Sequence, residues 1–261
     1  MKLPHHHPYT LGEPWTAGVV ILGAGQGERL GHGPKALIEL GGRPLLLHVL
    51  EAMSANRTVT AIAVTAPDGL TEEFEQLIDS RQPQVPVRVV PGGPTRQASA
   101  HAGVTALPSG PEWVAVTDVA RPFTEPGTVD RLLDSLRATA QSPGPAPHPC
   151  GVVPVLPLAD SVHLAAEEPL LAEPFDRSTL RAAQTPQVFH RDCVRAAYEE
   201  ALREGTTHTD DAGMVSRLGG TVVTAPGTAS NFKITFEQDL MLAQAVHAHA
   251  QTVLSGRGGA K

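Results

Sequence analysis

The feature that most constrains the fold is a short apolar segment that runs directly into a glycine-rich turn. Ala17 to Leu22 reads Ala-Gly-Val-Val-Ile-Leu, and Gly23 to Arg29 reads Gly-Ala-Gly-Gln-Gly-Glu-Arg. A continuous apolar run rich in β-branched residues is typical of a strand that is buried on both faces of a parallel sheet. Glycines at its end let backbone N–H groups approach phosphate oxygens closely. The two segments together predict a buried strand that ends in a phosphate-binding loop.

Segments with strand-like and helix-like patterns alternate through most of the chain. This alternation predicts a parallel sheet with helices packed on both of its faces. We therefore expect an α/β fold with a Rossmann-like, mostly parallel sheet. After the first strand, further strands are predicted at 58–65, 85–90, 113–116, 151–158, 182–189 and 221–225. Helices are predicted at 44–55, 71–80, 96–107, 128–138, 192–203, 210–218 and 236–250.

Three polar loops each follow a predicted strand directly. They are Gly23 to Arg29, Gly92 to Arg96 and Asp118 to Arg121. In open α/β sheets, ligands bind in the crevice beyond the carboxyl ends of the strands. We therefore expect all three loops to converge on one crevice, which is the main argument for a binding site.

The first loop is accompanied by two cations, Arg29 and Lys35. Because the formal net charge of the chain is −7, cations beside a glycine-rich loop indicate a local anion site and not a basic surface. The loop is not a Walker A loop, since no Gly-Lys-Ser/Thr follows. It is not a dinucleotide fingerprint either, since no acidic residue ends a second strand at the usual spacing. The alternative to a triphosphate site is a tight turn with two solvated cations.

The spacing Ala24-Gly-x-Gly-x-Arg29, followed by Pro34-Lys35, resembles the signature of the sugar-nucleotidyltransferase superfamily. More closely, the chain resembles the 2-C-methyl-D-erythritol 4-phosphate cytidylyltransferases of non-mevalonate isoprenoid biosynthesis. The resemblance covers nearly the whole chain, and the order of its short pieces is specific. The other pieces are Gly92-Gly93-x-x-Arg96-x-x-Ser99, Asp118-x-Ala120-Arg121-Pro122, Asp160-Ser161, Asp176-Arg177, Gln184-Thr185-Pro186-Gln187, Thr209-Asp210-Asp211-Ala212 and Asn231-Phe232-Lys233-Ile234-Thr235.

The resemblance implies a magnesium-dependent enzyme that transfers CMP from CTP to 2-C-methyl-D-erythritol 4-phosphate and releases pyrophosphate. It implies that Asp118 is the metal ligand and also part of the nucleotide site. It also implies that Arg29, Lys35 and Lys233 are catalytic, because cations stabilise the charge that develops during phosphoryl transfer. The remaining nucleotide-binding residues implied are Gly23, Ala24, Gly25, Gly27, Gly93, Pro94, Arg96 and Ser99.

The second half of the chain predicts an arm over about 159–182, where periodicity is weak. By resemblance, Ser161 and Arg177 of this arm bind the acceptor, and in relatives the arm reaches into the neighbouring subunit's site. Arg121 and Thr209 are further acceptor-binding candidates. Simple solvent exposure is the alternative for the arm residues. We expect the protruding β-arm to mediate a homodimer, because apolar positions without a core of their own need a partner surface.

Several positions depart from the family pattern. Ser230 stands where the family usually has an aspartate, so a second metal-side carboxylate is absent unless Asn231 serves. Pro94 replaces an aspartate of the second loop, and Ser161 replaces a threonine of the arm. These departures leave two alternatives open. One is the same chemistry on another acceptor, such as ribitol 5-phosphate or a phosphonate, and the other is a non-catalytic nucleotide-binding homologue.

The remaining sequence features predict the domain limits, the cellular compartment and the partners of the protein. We expect an N-terminal tail at 1–16, a single domain at 17–250 and a C-terminal tail at 251–261. Cys150 and Cys193 are the chain's two cysteines, and we expect free thiols in a reducing, cytoplasmic compartment. The acidic charge and the lack of a long apolar run argue against nucleic-acid and membrane partners. The run His5 to His7 is interpreted as a polar tail and not as a metal site.

Overall fold

The computed structural model describes residues 14–142, 148–165 and 171–258. The strands are β1 (Ala17–Leu22), β2 (Glu39–Leu40), β3 (Arg43–Pro44), β4 (Val59–Ala66), β5 (Val87–Pro91), β6 (Trp113–Asp118), β7 (Gly151–Pro157), β8 (His163–Ala165), β9 (Leu171–Pro174), β10 (Arg181–Ala183), β11 (Gln187–His190) and β12 (Val222–Pro226). The α-helices are α1 (Leu45–Ser54), α2 (Thr71–Asp79), α3 (Arg96–Ala106), α4 (Thr128–Gln141), α5 (Arg191–Glu204), α6 (Asp211–Arg217) and α7 (Glu237–Gly258). The run His5 to His7 and most of the proline-rich connector lie outside the described residues.

The central sheet has the strand order β10-β7-β11-β6-β1-β4-β5, and β12 pairs with β7. The pairs that join β5, β4, β1 and β6 are parallel, as is the pair of β12 with β7. Strands β10 and β11 are antiparallel to their neighbours. The prediction of a mostly parallel sheet is confirmed, and the antiparallel strands both come from the second half of the chain.

Side chains of β1 alternate between two apolar layers, one on each face of the sheet. Val19 and Ile21 pack in the layer that also contains residues of α1, α2, α4 and α7. Val20 and Leu22 pack in the layer that contains residues of α3, α5 and α6. Every residue of β1 is buried, which explains why its sequence is a continuous apolar run and not an alternating one. The prediction of helices on both faces is confirmed.

The predicted return strand at 182–189 is interrupted by a turn. β10 and β11 are separated by Gln184, Thr185 and Pro186, and the two polar side chains of this turn bond to other segments of the chain. The Gln184 amide donates to the carbonyl of Thr228 at 2.9 Å, and the Thr185 hydroxyl accepts from the backbone N–H of Asp118 at 3.1 Å. The break therefore ties the second half of the chain to the end of β6.

Trp15 and the end of α7 lie within the two segments that the sequence predicts as tails. Trp15 is 2% exposed and lies in the core, with its ring centroid 4.8 Å from that of Trp113. The guanidinium of Arg137 stacks over the Trp15 ring at 4.5 Å. The predicted tail at 1–16 is therefore wrong for Trp15, because burial of a large aromatic side chain is strongly favourable. At the other end, α7 continues to Gly258, so most of the predicted tail at 251–261 is helical.

A separate two-stranded sheet lies within the predicted arm. β8 and β9 are antiparallel, with His163 opposite Pro174, and they do not pair with the central sheet. Leu164 and Phe175 are 57% and 46% exposed, so this hairpin presents apolar side chains to solvent. β10 then rejoins the central sheet beside β7.

Candidate functional site

The three polar loops expected to converge do line one cleft, which lies at the carboxyl ends of β1, β5 and β6. Its volume is about 730 Å³. The predicted site residues that line the cleft are Ala24, Gly25, Gly27, Arg29, Lys35, Gly93, Pro94, Arg96, Ser99, Asp118 and Lys233.

No helix in the described part of the chain is long and apolar enough to cross a bilayer.

The first loop closes on itself through its backbone. The N–H of Lys35 donates to the carbonyl of Gly25 at 3.0 Å, and the N–H of Leu30 donates to the carbonyl of Gly27 at 2.8 Å. Gly27 has a φ of +68°, and a Cβ there would collide with the carbonyl oxygen of Gly33. A side chain at Gly27 would therefore open the loop and move Lys35 away from the cleft.

The second loop lies directly against the first. A Cβ at Gly92 would collide with the Cβ of Ala24, so the glycine permits the close approach of the two loops. The Ser99 hydroxyl accepts from the N–H of Gly93 at 3.1 Å and lies 3.0 Å from the carbonyl oxygen of Thr95. Ser99 therefore lines the cleft but uses its hydroxyl to hold the turn in this conformation.

Gly23 is a predicted nucleotide-binding residue that does not line the cleft. The other predicted nucleotide-binding residues, all within the described ranges, do line it. Its N–H donates to the hydroxyl of Thr65 at 3.3 Å. A Cβ at Gly23 would lie 2.7 Å from the carbonyl oxygen of Thr65 and 3.0 Å from the ring of Phe74. The glycine is therefore required by packing between β1, β4 and α2.

Asp118 lies at the end of β6 between two cations. Its Oδ2 is 2.7 Å from Nζ of Lys233, and its Oδ1 accepts from Nε of Arg96 at 3.2 Å. Burial by itself would raise the pKa of Asp118, but Arg96 and Lys233 overcome this effect and lower the pKa to about 2. The carboxylate is therefore ionised at neutral pH, as a metal ligand must be.

Lys35 is held beside the segment that carries Lys233. Its Nζ donates to the carbonyl of Ile234 at 3.0 Å. Burial lowers the pKa of the Lys35 ammonium, and the charges of Lys233 and Arg29 lower it further. Arg29 is exposed, with its guanidinium 5.6 Å from the centroid of the Phe236 ring. The cations repel one another, so an anion placed among them would be stabilised.

Asp118 is the one predicted ligand for a magnesium ion in this cleft, so most of the ligands of such an ion would have to come from the substrate. Within the described residues, no group of three or more His, Cys, Asp or Glu side chains could hold a metal ion. Mg²⁺, however, is usually bound through one or two carboxylates together with substrate phosphates. Asp118, ionised and facing the cleft, suits that arrangement.

Asn231 does not replace the carboxylate that Ser230 lacks. Asn231 is 5% exposed, and its amide N–H donates to the carbonyl of Thr185 at 2.9 Å. Its side-chain oxygen accepts from the hydroxyl of Thr124 at 3.0 Å. Both ends of the amide are therefore engaged in structural bonds away from the cleft.

Residues 17–249 match the model of a family described as 2-C-methyl-D-erythritol 4-phosphate cytidylyltransferase. The chain belongs to this family. A relative from Streptomyces avermitilis with that name is 44% identical over 241 residues, covering 88% of this chain and 90% of the relative. A namesake from Streptomyces coelicolor is 42% identical, covering 90% of this chain and 86% of the relative.

Solved structures from the cytidylyltransferase family share the fold. The crystal structure of the enzyme from Thermus thermophilus superposes with a TM-score of 0.68 at 35% sequence identity. The match covers 87% of this chain and 96% of the Thermus chain. A synthase structure from Anaerococcus prevotii superposes with a TM-score of 0.76 at 23% identity, covering 90% of this chain and 97% of the other, which shows the fold alone.

The predicted acceptor-binding residues of this cytidylyltransferase chain do not line the cleft. Arg121 is 8% exposed and donates to the backbone carbonyl of Asn231 at 2.6 Å, so in this chain it braces the loop after β12. Arg177 is exposed on the arm and donates to the carbonyl of Ala159. Ser161 and Thr209 are also exposed. Within the described part of the chain, the acceptor half of the site is therefore not assembled.

Two buried residues behind the cleft are missed by the sequence interpretation. Both oxygens of Asp211 accept from Arg96, at 3.0 and 2.9 Å, and the Tyr198 hydroxyl donates to Asp211 at 2.7 Å. The motif Thr209-Asp-Asp-Ala contains Asp211, but the interpretation selects Thr209 from it. The useful signal is the aspartate at the start of a short apolar helix, which reaches inward. Gln26 and Glu28 of the first loop and Asp68 after β4 also line the cleft, and none of the three was predicted as a site residue.

Proposed function

We propose that this chain transfers CMP from CTP to 2-C-methyl-D-erythritol 4-phosphate and releases pyrophosphate, a step of isoprenoid biosynthesis. The observation that carries the proposal is a cleft in which two glycine loops meet Arg29, Lys35, Lys233 and Asp118. The names of relatives that match nearly the whole chain support the acceptor. Cys150 and Cys193 are both buried and form no disulfide, which is compatible with the reducing conditions of the cytoplasm.

The reaction is an in-line displacement at the α-phosphorus of CTP. An oxygen of the acceptor phosphate forms the new P–O bond, and the bond to the bridging oxygen of pyrophosphate breaks. The attacking oxygen is already anionic, so no general base is needed. Rate enhancement then comes from positioning the reactants and from stabilising negative charge in the transition state.

The residues of the cleft suit those two tasks. Backbone groups of the two glycine loops, around Ala24 and Gly93, would hold the base and ribose. Lys35 and Arg29 would stabilise charge on the triphosphate and the leaving group, while Lys233 would serve the α-phosphate. Mg²⁺ held by Asp118 and phosphate oxygens would supply further charge neutralisation.

The arm supports the proposal of a homodimer in which each copy completes the acceptor site of the other. Ser161 and Arg177 are exposed on either side of the hairpin formed by β8 and β9, and they do not line their own chain's cleft. The exposed Leu164 and Phe175 provide apolar surface for a second copy. A neighbouring copy would bring the arm residues to the acceptor without any change in the fold of either chain.

We expect the protein to sediment as a dimer at micromolar concentration. Replacing Leu164 and Phe175 together by aspartate should shift the population to monomers, because the interface would then bury two charges. The same variant should lose transfer to the acceptor but retain CTP binding, measured by calorimetry. A wild-type protein that sediments as a monomer would remove the support for an arm-mediated site.

The function itself is tested by pyrophosphate release with CTP, Mg²⁺ and a panel of acceptors. The panel contains 2-C-methyl-D-erythritol 4-phosphate, ribitol 5-phosphate and a simple phosphonate. Turnover with the first alone is expected. Turnover only with another acceptor would keep the mechanism and replace the substrate, an outcome that the departures at Pro94 and Ser230 make worth testing. CTP binding without release from any acceptor would contradict the proposal and favour a non-catalytic homologue.

A further inference from the structure

A buried series of hydrogen bonds connects α5 to Asp118, the candidate metal ligand. Tyr198 and Asp211 are both fully buried. The Tyr198 hydroxyl donates to Asp211, Asp211 accepts two bonds from Arg96, and Nε of Arg96 donates to Asp118. Of these residues only Arg96 and Asp118 line the cleft. This series of hydrogen bonds therefore connects the cleft to two buried side chains that do not line it.

The geometry of Arg96 determines how Asp118 is presented. A guanidinium carries five donors in a rigid planar fork and pairs best with a carboxylate through two parallel bonds. Here the two-bond pairing goes to Asp211, through Nη1 and Nη2, at 3.0 and 2.9 Å. Asp118 receives the single Nε contact at 3.2 Å. Asp211 therefore takes the two-bond pairing of Arg96, and Asp118 is left with a single bond.

The Tyr198 hydroxyl makes this arrangement more rigid. Burial and the neighbouring Asp211 raise the pKa of Tyr198 well above its ordinary value, so the hydroxyl stays protonated and can donate. Its 2.7 Å bond fixes Oδ1 of Asp211, which is also the oxygen that accepts from Nη1 of Arg96. A fixed Asp211 in turn fixes the plane of the guanidinium.

We propose that Asp211 and Tyr198 are positioning residues, which orient Arg96 so that the Asp118 carboxylate stays available to the nucleotide-bound metal. This inference rests on the proposed function. Without the charge of Asp211, the guanidinium would be free to rotate and pair with Asp118 through two bonds. Asp118 would then be occupied by Arg96, and the metal would have to compete with this internal ion pair for the carboxylate.

Asp211→Asn and Tyr198→Phe test the inference because each changes one polar group at nearly constant volume. We expect Asp211→Asn to lower kcat about 10- to 100-fold, the range typical of groups that support metal ligands. The Mg²⁺ concentration for half-maximal rate should rise, while CTP binding measured by calorimetry without Mg²⁺ should be unchanged or tighter. Tyr198→Phe should move the same quantities in the same direction by a smaller factor.

Asp130→Asn is the matched control. Asp130 is also a buried aspartate, and it lies at the start of α4, away from the cleft. It accepts bonds from Thr58 and from the backbone N–H of Arg57. It should lower the unfolding temperature and leave both kcat and the Mg²⁺ requirement unchanged. Equal losses of kcat in Asp130→Asn and Asp211→Asn would indicate a general structural effect and overturn the inference.

The outcomes also separate this inference from the proposed function. A folded Asp211→Asn or Tyr198→Phe protein with the wild-type Mg²⁺ requirement and kcat would overturn the positioning role. If Asp211→Asn does not fold, Tyr198→Phe alone decides, because it removes only a hydroxyl. If wild-type protein transfers CMP to no acceptor, the proposed function fails. The Mg²⁺ dependence of CTP binding, by calorimetry on the wild type and both variants, then still tests the inference.

Discussion

Asp118→Asn is expected to lower kcat by about 10³-fold or more, because the variant lacks the negative charge that we propose holds the metal, an effect of several kcal/mol. In the structure this carboxylate faces the cleft and contacts Lys233 at 2.7 Å and Arg96 at 3.2 Å. An asparagine keeps the size of the side chain but leaves both cations without this charged partner. The measurement is pyrophosphate release at saturating CTP over a wide range of Mg²⁺ concentrations.

The expected CTP affinity distinguishes loss of the metal from loss of the fold. Without Mg²⁺, the Asp118→Asn protein should bind CTP at least as tightly as the wild type, because the cleft has gained positive charge. The improvement in binding that Mg²⁺ gives the wild type should be absent. Asp130→Asn again serves as a control for burying an amide in place of a carboxylate. A near-normal rate in Asp118→Asn would contradict the assigned metal role.

The nucleotide half of the site could be predicted because it depends on a simple geometric rule. Each of the three polar loops follows a strand of the same sheet, and the carboxyl ends of parallel strands lie at one edge. Finding β1, β5 and β6 in the sequence was therefore sufficient to bring Gly25, Gly93 and Asp118 to one cleft. The boundaries of these strands were secondary to their order.

The residues behind the cleft could not be predicted in the same way. Arg96 and Asp211 are 115 positions apart, and their pairing depends on how α3, α5 and α6 pack on one face of the sheet. A sequence pattern reports which side chains share a face of one element, but not which side chains of two elements meet. The sequence alone therefore favours Thr209 over Asp211.

Two structural roles could not be predicted from the local sequence. Trp15 precedes the first strand in a segment rich in polar residues and proline, yet it packs on Trp113 of β6. The segment Gln184 to Pro186 lies inside a predicted strand, yet its polar side chains bond to Thr228 and to the end of β6. In both cases a tertiary contact overrides the pattern of the neighbouring residues.

Lys35→Ala is expected to lower kcat by about 10²- to 10³-fold, the effect of removing one donor that stabilises an oxyanion, or about 3 to 4 kcal/mol. Lys35 lies in the cleft with its ammonium bonded to the carbonyl of Ile234 at 3.0 Å, so it is placed before the nucleotide arrives. Single-turnover measurements of pyrophosphate release would report the chemical step. Arg88→Ala removes one exposed cation from β5, outside the cleft, and controls for the change in net charge.

The pH dependence gives an independent test of the same lysine. Burial lowers the pKa of Lys35, and the charges of Lys233 and Arg29 lower it further, so the free enzyme loses this proton at a lower pH than an ordinary lysine would. Only the protonated form stabilises the triphosphate, so kcat/KM, which reports the free enzyme, should fall as pH rises through this lowered value. The alkaline fall should persist in Arg88→Ala and be absent from the residual activity of Lys35→Ala. A wild-type profile that stays flat through the ordinary lysine range would contradict the role assigned to Lys35.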